Sequence, residues 1–508
     1  MSAKIEILID EPIGTINPNV HGQFIEHLGS CVYGGIWEEG EPGKPARLNP
    51  GVVEALQRLQ IPVLRWPGGC FADDYHWRDG IGPVESRPQR INIWWDGALE
   101  PNTVGTHEFM ALSRLLGAEP YLAGNVGSGT PGELRDWVEY CNYPGGTTLS
   151  NARRANGAEE PFNVRYWGVG NENWGCGGSF NPAEYAAAYR RFSTFLEPFD
   201  FNTSGGLFQI ACGPVGGDSV QRSWTETFFA TLKEGMSDDF LAQINGYSLH
   251  FYTSTDGSCG SATEFSDEQW YRLLAEALSI EPFITEQRTL MDQFDPERKI
   301  GLIVDEWGNW HHISDEEDAP SLCWRQNGVR DGLVAAMTLD VFQRHADTVV
   351  MANLAQTVNV IHSLLLVDGD RVVRTPTYHV FDLYRPHQGG QSLRLELDAP
   401  SVSFGNEEGA GAVPGLTGSA SLKDKRLTLT VTNPHLTEAV EASIRLRGGT
   451  AAGLTETCLT HDDPRAYNSY DEPEVVTLSA SRTLPANGGE ISYTFAPHAI
   501  TRLEVDLA

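Results

Sequence analysis

Between about residue 20 and residue 385 the chain repeats one unit: a short apolar run rich in Val, Ile and Leu, polar turn residues, then a longer stretch with helical spacing. Strand-like runs fall at VHGQFIE, IPVLRWPGG, EPYLAGNVG, VRYWGVGNE, IACGPVG, INGYSLHFY, GLIVDEWG and TVVMANLAQ. The alternation predicts parallel β/α units, and eight is the number that closes a (β/α)8 TIM barrel. Helices are predicted at PGVVEALQRLQ, THEFMALSRLLGA, PGELRDWVEYC, NPAEYAAAYRRFSTFLEPF and VRDGLVAAMTLDVFQRH, several opened by Pro where helix starts tolerate it.

After Arg385 the texture changes. SLRLELD, ASVSFG, LTLTVTN, ASIRLRG, EISYTF and TRLEVDLA alternate apolar and polar residues in short segments separated by Gly, Pro and Asn, the signature of an antiparallel β-sandwich. The tail has no tryptophan and few aromatics, so it offers no stacking platform for a sugar or a base and reads as structural. The opening IEILID alternates too. The expected organisation is therefore a catalytic barrel over 17–385 and a sandwich over 386–508, joined by a strand within 1–16.

Composition narrows the function. The 508 residues are 40% hydrophobic and 20% charged, with 53 Gly and 29 Pro, as in a folded, loop-rich globular protein. The 68 acidic residues outnumber the 36 basic ones, a formal net charge of −32, which repels phosphate backbones and anionic lipid and leaves neutral partners as the fitting class. MSAKIEILID lacks the apolar stretch of a secretory signal and no run approaches a membrane span, so a cytoplasmic protein is expected, without nucleic-acid or membrane partners. Eight cysteines without a CxxC pair suggest reduced, mostly packed thiols, with neither disulfides nor a thiolate zinc site.

In a (β/α)8 barrel the reactive groups gather where strands meet the following loops. Here those positions carry Glu26 and His27, Arg65, Trp66 and Cys70, Asn171 and Glu172, His250 and Tyr252, Asp305, Glu306 and Trp310, and Gln356. A lone acid at a strand end is more often a salt-bridged terminus. Two acids in one predicted mouth, Glu172 and Glu306, reverse that balance, because glycoside cleavage needs one carboxyl to protonate the leaving oxygen and a second, ionised, to attack or stabilise the oxocarbenium-like centre.

His250 and Tyr252, two apart on a strand, face one side and suit sugar hydroxyls or the nucleophile, although such a pair is equally often core. Arg65 reads as a neutralising partner of the carboxylates, and Trp94, Trp95 and Trp310 offer flat faces for sugar C–H surfaces, Trp95 and Trp310 from the better loop positions. There is no HExxH; His311 and His312 are adjacent and diverge on an extended segment, so no metal is expected. PGGCF, GVGNEN and GPVGGD match neither phosphate-binding loop, and no GxSxG elbow is present.

With these residues in view the chain resembles the α-L-arabinofuranosidases of glycoside hydrolase family 51, in the retaining clan of (β/α)8 glycosidases. FIEHLG with VYGGIW, RWPGG with DGIGP, WGVGNE, SLHFY, VDEWGNW and AQTVNVI carry the resemblance over almost the whole chain. It implies Glu172 as acid/base and Glu306 as nucleophile, with Asn171 on the sugar 2-hydroxyl. Glu26, His250, Tyr252 and Gln356 would surround the furanose or the nucleophile, and Trp95 and Trp310 shape the entrance. One departure matters: many members carry, after PGG, an Asn that contacts the arabinose, where this chain has Cys70, a weaker and smaller hydrogen-bonding group.

The expectation is a retaining, exo-acting hydrolase of terminal α-L-arabinofuranosyl groups, with no cofactor, acting on oligosaccharides from arabinoxylan or arabinan. The resemblance also implies a homo-oligomer, a hexamer. The alternatives are an endo-acting xylanase or glucanase of the same clan, whose two acids look identical, and a non-catalytic carbohydrate-binding protein on the same barrel.

Overall fold

The computed structural model describes residues 2–38, 44–199, 206–216, 222–234, 241, 243–311, 319–405, 410–486 and 488–508. Its first eleven strands are β1 (Ser2–Thr15), β2 (Gly22–Phe24), β3 (Val63–Trp66), β4 (Arg90–Asn92), β5 (Ala98–Glu100), β6 (Glu119–Gly124), β7 (Tyr166–Val169), β8 (Phe208–Ala211), β9 (Gly246–Thr253), β10 (Gly301–Asn309) and β11 (Val349–Ala355). Strands β2, β3 and β6–β11 close into a barrel in chain order, every pair parallel. All eight predicted runs supply one barrel strand each. β4 and β5 form a separate hairpin in the loop after the second barrel strand.

The period of two along a strand decides what reaches the mouth. Val63, Tyr121, Tyr166, Ile210, Ile303 and Met351, one from each of six strands, form a small core of their own, distinct from the larger core that includes the helices. Two residues further along the same strands stand Arg65, Asp305 and Asn353, all buried. They interlock: Arg65 Nη1 donates to the Asp305 carbonyl at 3.3 Å and Asn353 Nδ2 to Asp305 Oδ1 at 3.2 Å, while Tyr121 OH donates to Asp305 Oδ2 at 2.8 Å. Strict alternation would turn Glu306 outward next to Asp305. The pairing of β10 with β9 breaks register between Val304 and Glu306, and this irregularity lets two consecutive acids serve the interior.

Beyond the barrel a nine-stranded, mostly antiparallel sheet folds over an apolar core in which Ile5 and Ile7 of β1 meet Leu429, Val431, Ile444 and Val505. β1 pairs antiparallel with Gln391–Asp398 and parallel with Val440–Arg447. The helix Val329–Arg344 lies between barrel and sheet and is buried along all but its last residue.

That burial includes Asp340, whose Oδ1 accepts from Tyr384 OH (2.9 Å), Ser419 Oγ (2.6 Å) and Thr430 Oγ1 (3.0 Å). Burial outweighs these donors and pushes its carboxyl from 3.8 up to about 6. A raised pKa means that folding takes up a proton, so this stability is full below pH 4 and is lost as pH rises through 6. At about 1.4 kcal/mol per unit the loss is of order 3 kcal/mol at neutral pH. Asp340→Asn keeps the acceptor without the charge; its denaturant midpoint at pH 7.5 is expected to exceed that of wild type, with the gap closing toward pH 4. Equal gaps at both pH values would rule the titration out.

Candidate active site

Glu306, at the end of the seventh barrel strand, is only 7% exposed and carries a donor on each oxygen: Arg65 Nη1 on Oε1 at 2.8 Å and Tyr252 OH on Oε2 at 2.7 Å. His250 Nδ1 stands 3.5 Å from Oε2. Burial alone raises such a carboxyl, but His250, Arg65 and Tyr252 together hold it below its usual range, so it is ionised. Glu172, just past the fourth strand, is 18% exposed; its Oε1 meets the same His250 Nδ1 at 2.8 Å. One oxygen of each acid and this nitrogen all lie within 4.8 Å of one another. Burial disfavours the imidazolium of His250, yet the two glutamates outweigh it and raise its pKa.

Asn171 is fixed through both ends. Its backbone N–H donates to Asp73 Oδ2 at 2.7 Å and its Oδ1 accepts from Arg65 Nη2 at 2.6 Å, leaving a buried Nδ2 without a partner among the described residues. A buried amide with an unused donor is poised for a ligand oxygen. Gly69 makes room beside it: a Cβ there would sit 2.8 Å from Glu306 Oε1 and 3.5 Å from Asn171 Nδ2.

Glu26 accepts from the backbone of Gly69 (3.0 Å) and Phe71 (3.1 Å) on Oε1 and from Gln356 Nε2 (3.0 Å) on Oε2. Burial, reinforced by the charge of Glu306 and opposed by these donors, pushes it up to about 7. A carboxyl poised near neutrality can both donate to and accept from a hydroxyl. Trp95, in the β4–β5 turn, directs its indole N–H at Glu26 and so opposes this rise. Trp310 packs edge-on against Tyr252 with centroids 5.2 Å apart.

The structure brings Glu26, Cys70, Asn171, Glu172, His250, Tyr252, Glu306 and Gln356 into one network, with Trp95 and Trp310 at its margin. Arg65 takes the neutralising position expected of it. Two features were not anticipated. Asp73 accepts from three backbone N–H groups, of Val126, Gly127 and Asn171, and so ties the loops after the third and fourth strands together. The expectation of reduced thiols throughout is corrected: Cys70 and Cys176 are joined in a disulfide. Their Cα atoms lie 5.4 Å apart across a separation of 106 residues, which spacing along the chain cannot reveal. Cys31, Cys141, Cys212 and Cys259 are buried, as expected.

Among the described residues two groups have metal-like spacing, Cys70 with Glu172 and Cys176, and Glu172 with His250 and Glu306. In the first the sulfurs are bonded to each other and offer no thiolate; in the second His250 Nδ1 is shared between the carboxylates as a donor. His311 Nε2 is engaged by the buried Asp331 at 2.7 Å, and His312 lies outside the described residues.

Tyr252→Phe removes one donor from an ionised carboxylate, an interaction of about 1.5–3 kcal/mol. The expected result is a loss in kcat/KM of about ten- to a hundredfold. The acid limb of the pH profile should also move upward, because one of the three groups that hold Glu306 low is gone. An unmoved acid limb would mean that Tyr252 does not act on Glu306.

A parallel eight-stranded barrel with paired carboxylates after its fourth and seventh strands, bridged by one histidine, defines a glycoside hydrolase. Residues 55–269 match the family model of the α-L-arabinofuranosidase 1 domain, and residues 305–499 that of the α-L-arabinofuranosidase C-terminal domain. The chain is 40% identical to a Bacteroides ovatus protein named an intracellular exo-α-L-arabinofuranosidase, over 99% of this chain and 96% of the relative. Among solved structures it is similar to a family 51 arabinofuranosidase from Xanthomonas axonopodis pv. citri (TM-score 0.90, 37% identity, 99% of both chains). It is also similar to an α-L-arabinofuranosidase from Thermotoga maritima in complex with arabinose (TM-score 0.85, 31% identity, 100% of both chains). The chain belongs to the α-L-arabinofuranosidases of glycoside hydrolase family 51.

Proposed function

We propose that the protein is a retaining, exo-acting α-L-arabinofuranosidase that releases terminal arabinofuranosyl groups from arabinoxylan- or arabinan-derived oligosaccharides by double displacement. The observation that carries the reading is the close approach of the two acids in unlike surroundings. Oxygens of Glu172 and Glu306 lie within 4.8 Å of each other, which suits the spacing of about 5–5.5 Å between carboxyls of retaining enzymes and leaves no room for the water that an inverting pair encloses.

Glu306, ionised and held by Arg65 and Tyr252, attacks the anomeric carbon. Glu172 gives its proton to the departing oxygen, then takes one from the water that opens the arabinosyl-enzyme. The free Nδ2 of Asn171 takes the 2-hydroxyl, Glu26 with Gln356 holds the furanose, and Trp95 and Trp310 border the entrance. These steps use no metal and no organic cofactor.

A cytoplasmic address is supported by the relative named intracellular. Self-association is supported by the exposed apolar side chains of Ile91, Ile93 and Leu99 on the β4–β5 hairpin, which a second copy would cover, and the homo-hexamer is the assembly the family resemblance implies. Sedimentation equilibrium should then give six times the chain mass, and a single-chain mass would end that part.

The activity is tested by hydrolysis of 4-nitrophenyl α-L-arabinofuranoside beside the β-D-xyloside and β-D-glucoside. Fast release from the arabinoside alone is expected. Cleavage of only the xyloside or glucoside would transfer the reading to the clan's other enzymes, and no cleavage of any would favour a binding protein.

A further inference from the structure

We propose that the Cys70–Cys176 disulfide is a positioning element for the acid/base: it fixes the turn that carries Glu172 and presents to the carboxyl's proton-bearing oxygen a wall without protons of its own. The inference rests on the assignment of Glu172 as acid/base.

Three observations meet at this bond. Glu172 has a backbone φ of +41°, in the left-handed region that side chains other than glycine rarely occupy. Such a conformation persists only where its surroundings over-determine it. Here the Glu172 carbonyl accepts from the backbone N–H of Gly175 (2.7 Å) and Gly177 (3.1 Å), so Cys176 lies between the two residues that close the turn. The disulfide then ties this turn to Cys70, the first residue of the short helix after β3. The same short helix holds Asp73, which secures Asn171 from the other side, so the acid/base is flanked by one tie on each side.

The second observation concerns the carboxyl's two oxygens. Oε1 is engaged by His250 Nδ1. Among the described residues Oε2 meets only sulfur, at 3.6 Å from Cys176 and 4.0 Å from Cys70. Bonded to each other, these sulfurs donate nothing to Oε2, which is left free to serve the leaving oxygen.

The third concerns the opened bond. A dithiol reductant adds two electrons and two protons, breaks the Sγ–Sγ bond, and leaves as its own cyclic disulfide. Two thiols then stand beside Oε2, and each can donate to it. A hydrogen bond to a carboxylate favours the charged form. The oxygen that must give a proton becomes one that receives them, in a turn no longer held. Both cysteines are partly exposed, within reach of a small dithiol.

The penalty therefore falls where protonation of the leaving group matters most. We would compare wild type, dithiothreitol-reduced wild type and the Cys70→Ala/Cys176→Ala double variant on α-L-arabinofuranosides whose leaving groups run from 4-nitrophenol through phenol to an alkyl alcohol. The state of the bond is checked by mass spectrometry after alkylation. A loss in kcat/KM of a few-fold on the nitrophenyl substrate, growing to about tenfold or more on the alkyl substrate, is expected in the reduced form, and the same trend, smaller, in the double variant, which loosens the turn without adding thiol donors.

The triple variant that adds Glu172→Ala should be no slower than Glu172→Ala alone, since the pair acts through that residue; losses that simply add would overturn the proposal. A loss of equal size on every leaving group, or no loss, would overturn the proposal, the former leaving the bond as a structural staple. So would free thiols at both positions in the unreduced protein. If Glu172→Ala itself shows no dependence on the leaving group, the acid/base assignment has failed and the proposal falls with it.

Discussion

Glu306→Ala is expected to lower turnover of 4-nitrophenyl α-L-arabinofuranoside by about 10⁴-fold or more while leaving the chain folded. In the proposed double displacement, removing the nucleophile costs more than removing a helper, because no arabinosyl-enzyme would form. The fold should survive, since Glu306 lies in the mouth beyond the apolar plug of Val63, Tyr121 and Ile303. Alanine leaves a cavity between Arg65 and Tyr252, two donors that faced an anion. Azide should enter it, attack the anomeric carbon and yield the arabinosyl azide of inverted configuration. Retained configuration in the rescued product would place the nucleophile elsewhere.

Glu172→Ala should behave differently on the same substrate. 4-Nitrophenol leaves readily without a proton, so formation of the intermediate slows little, whereas its hydrolysis loses its general base and slows by about 10²–10⁴-fold. A burst of one nitrophenol per active site should precede a slow steady state. Azide needs no base, and should restore turnover and give the azide of retained configuration. The absence of both burst and rescue would remove Glu172 from the acid/base role.

Much of this site is visible in the chain because strand periodicity does most of the placing. His250 and Tyr252, two apart, both turn inward as an extended strand requires. Asp305 and Glu306 both end one predicted run, yet alternation alone sends them to opposite faces; the register break that admits both to the interior arises from the pairing of β10 with β9. Asp73 is invisible for a related reason. It lies in the irregular segment CFADD, where no period marks a buried side chain, and its value comes from three backbone N–H groups that only the fold assembles.

Cys70 shows the limit most clearly. Read alone it is a poor substitute for an amide; its partner 106 residues away changes it from a donor into half of an apolar clamp. In the sheet, alternation marks the strands, but the parallel pairing of β1 with Val440–Arg447 is set by how the chain closes around its core.

The central claim is that Glu306 carries the sugar during catalysis. Intact-mass and peptide analysis of the Glu172→Ala variant, quenched during turnover of 4-nitrophenyl α-L-arabinofuranoside, tests it most directly. The account predicts one anhydropentose unit per chain, located on Glu306. A label on any other residue, or an unlabelled chain while nitrophenol is released in a burst, would contradict it.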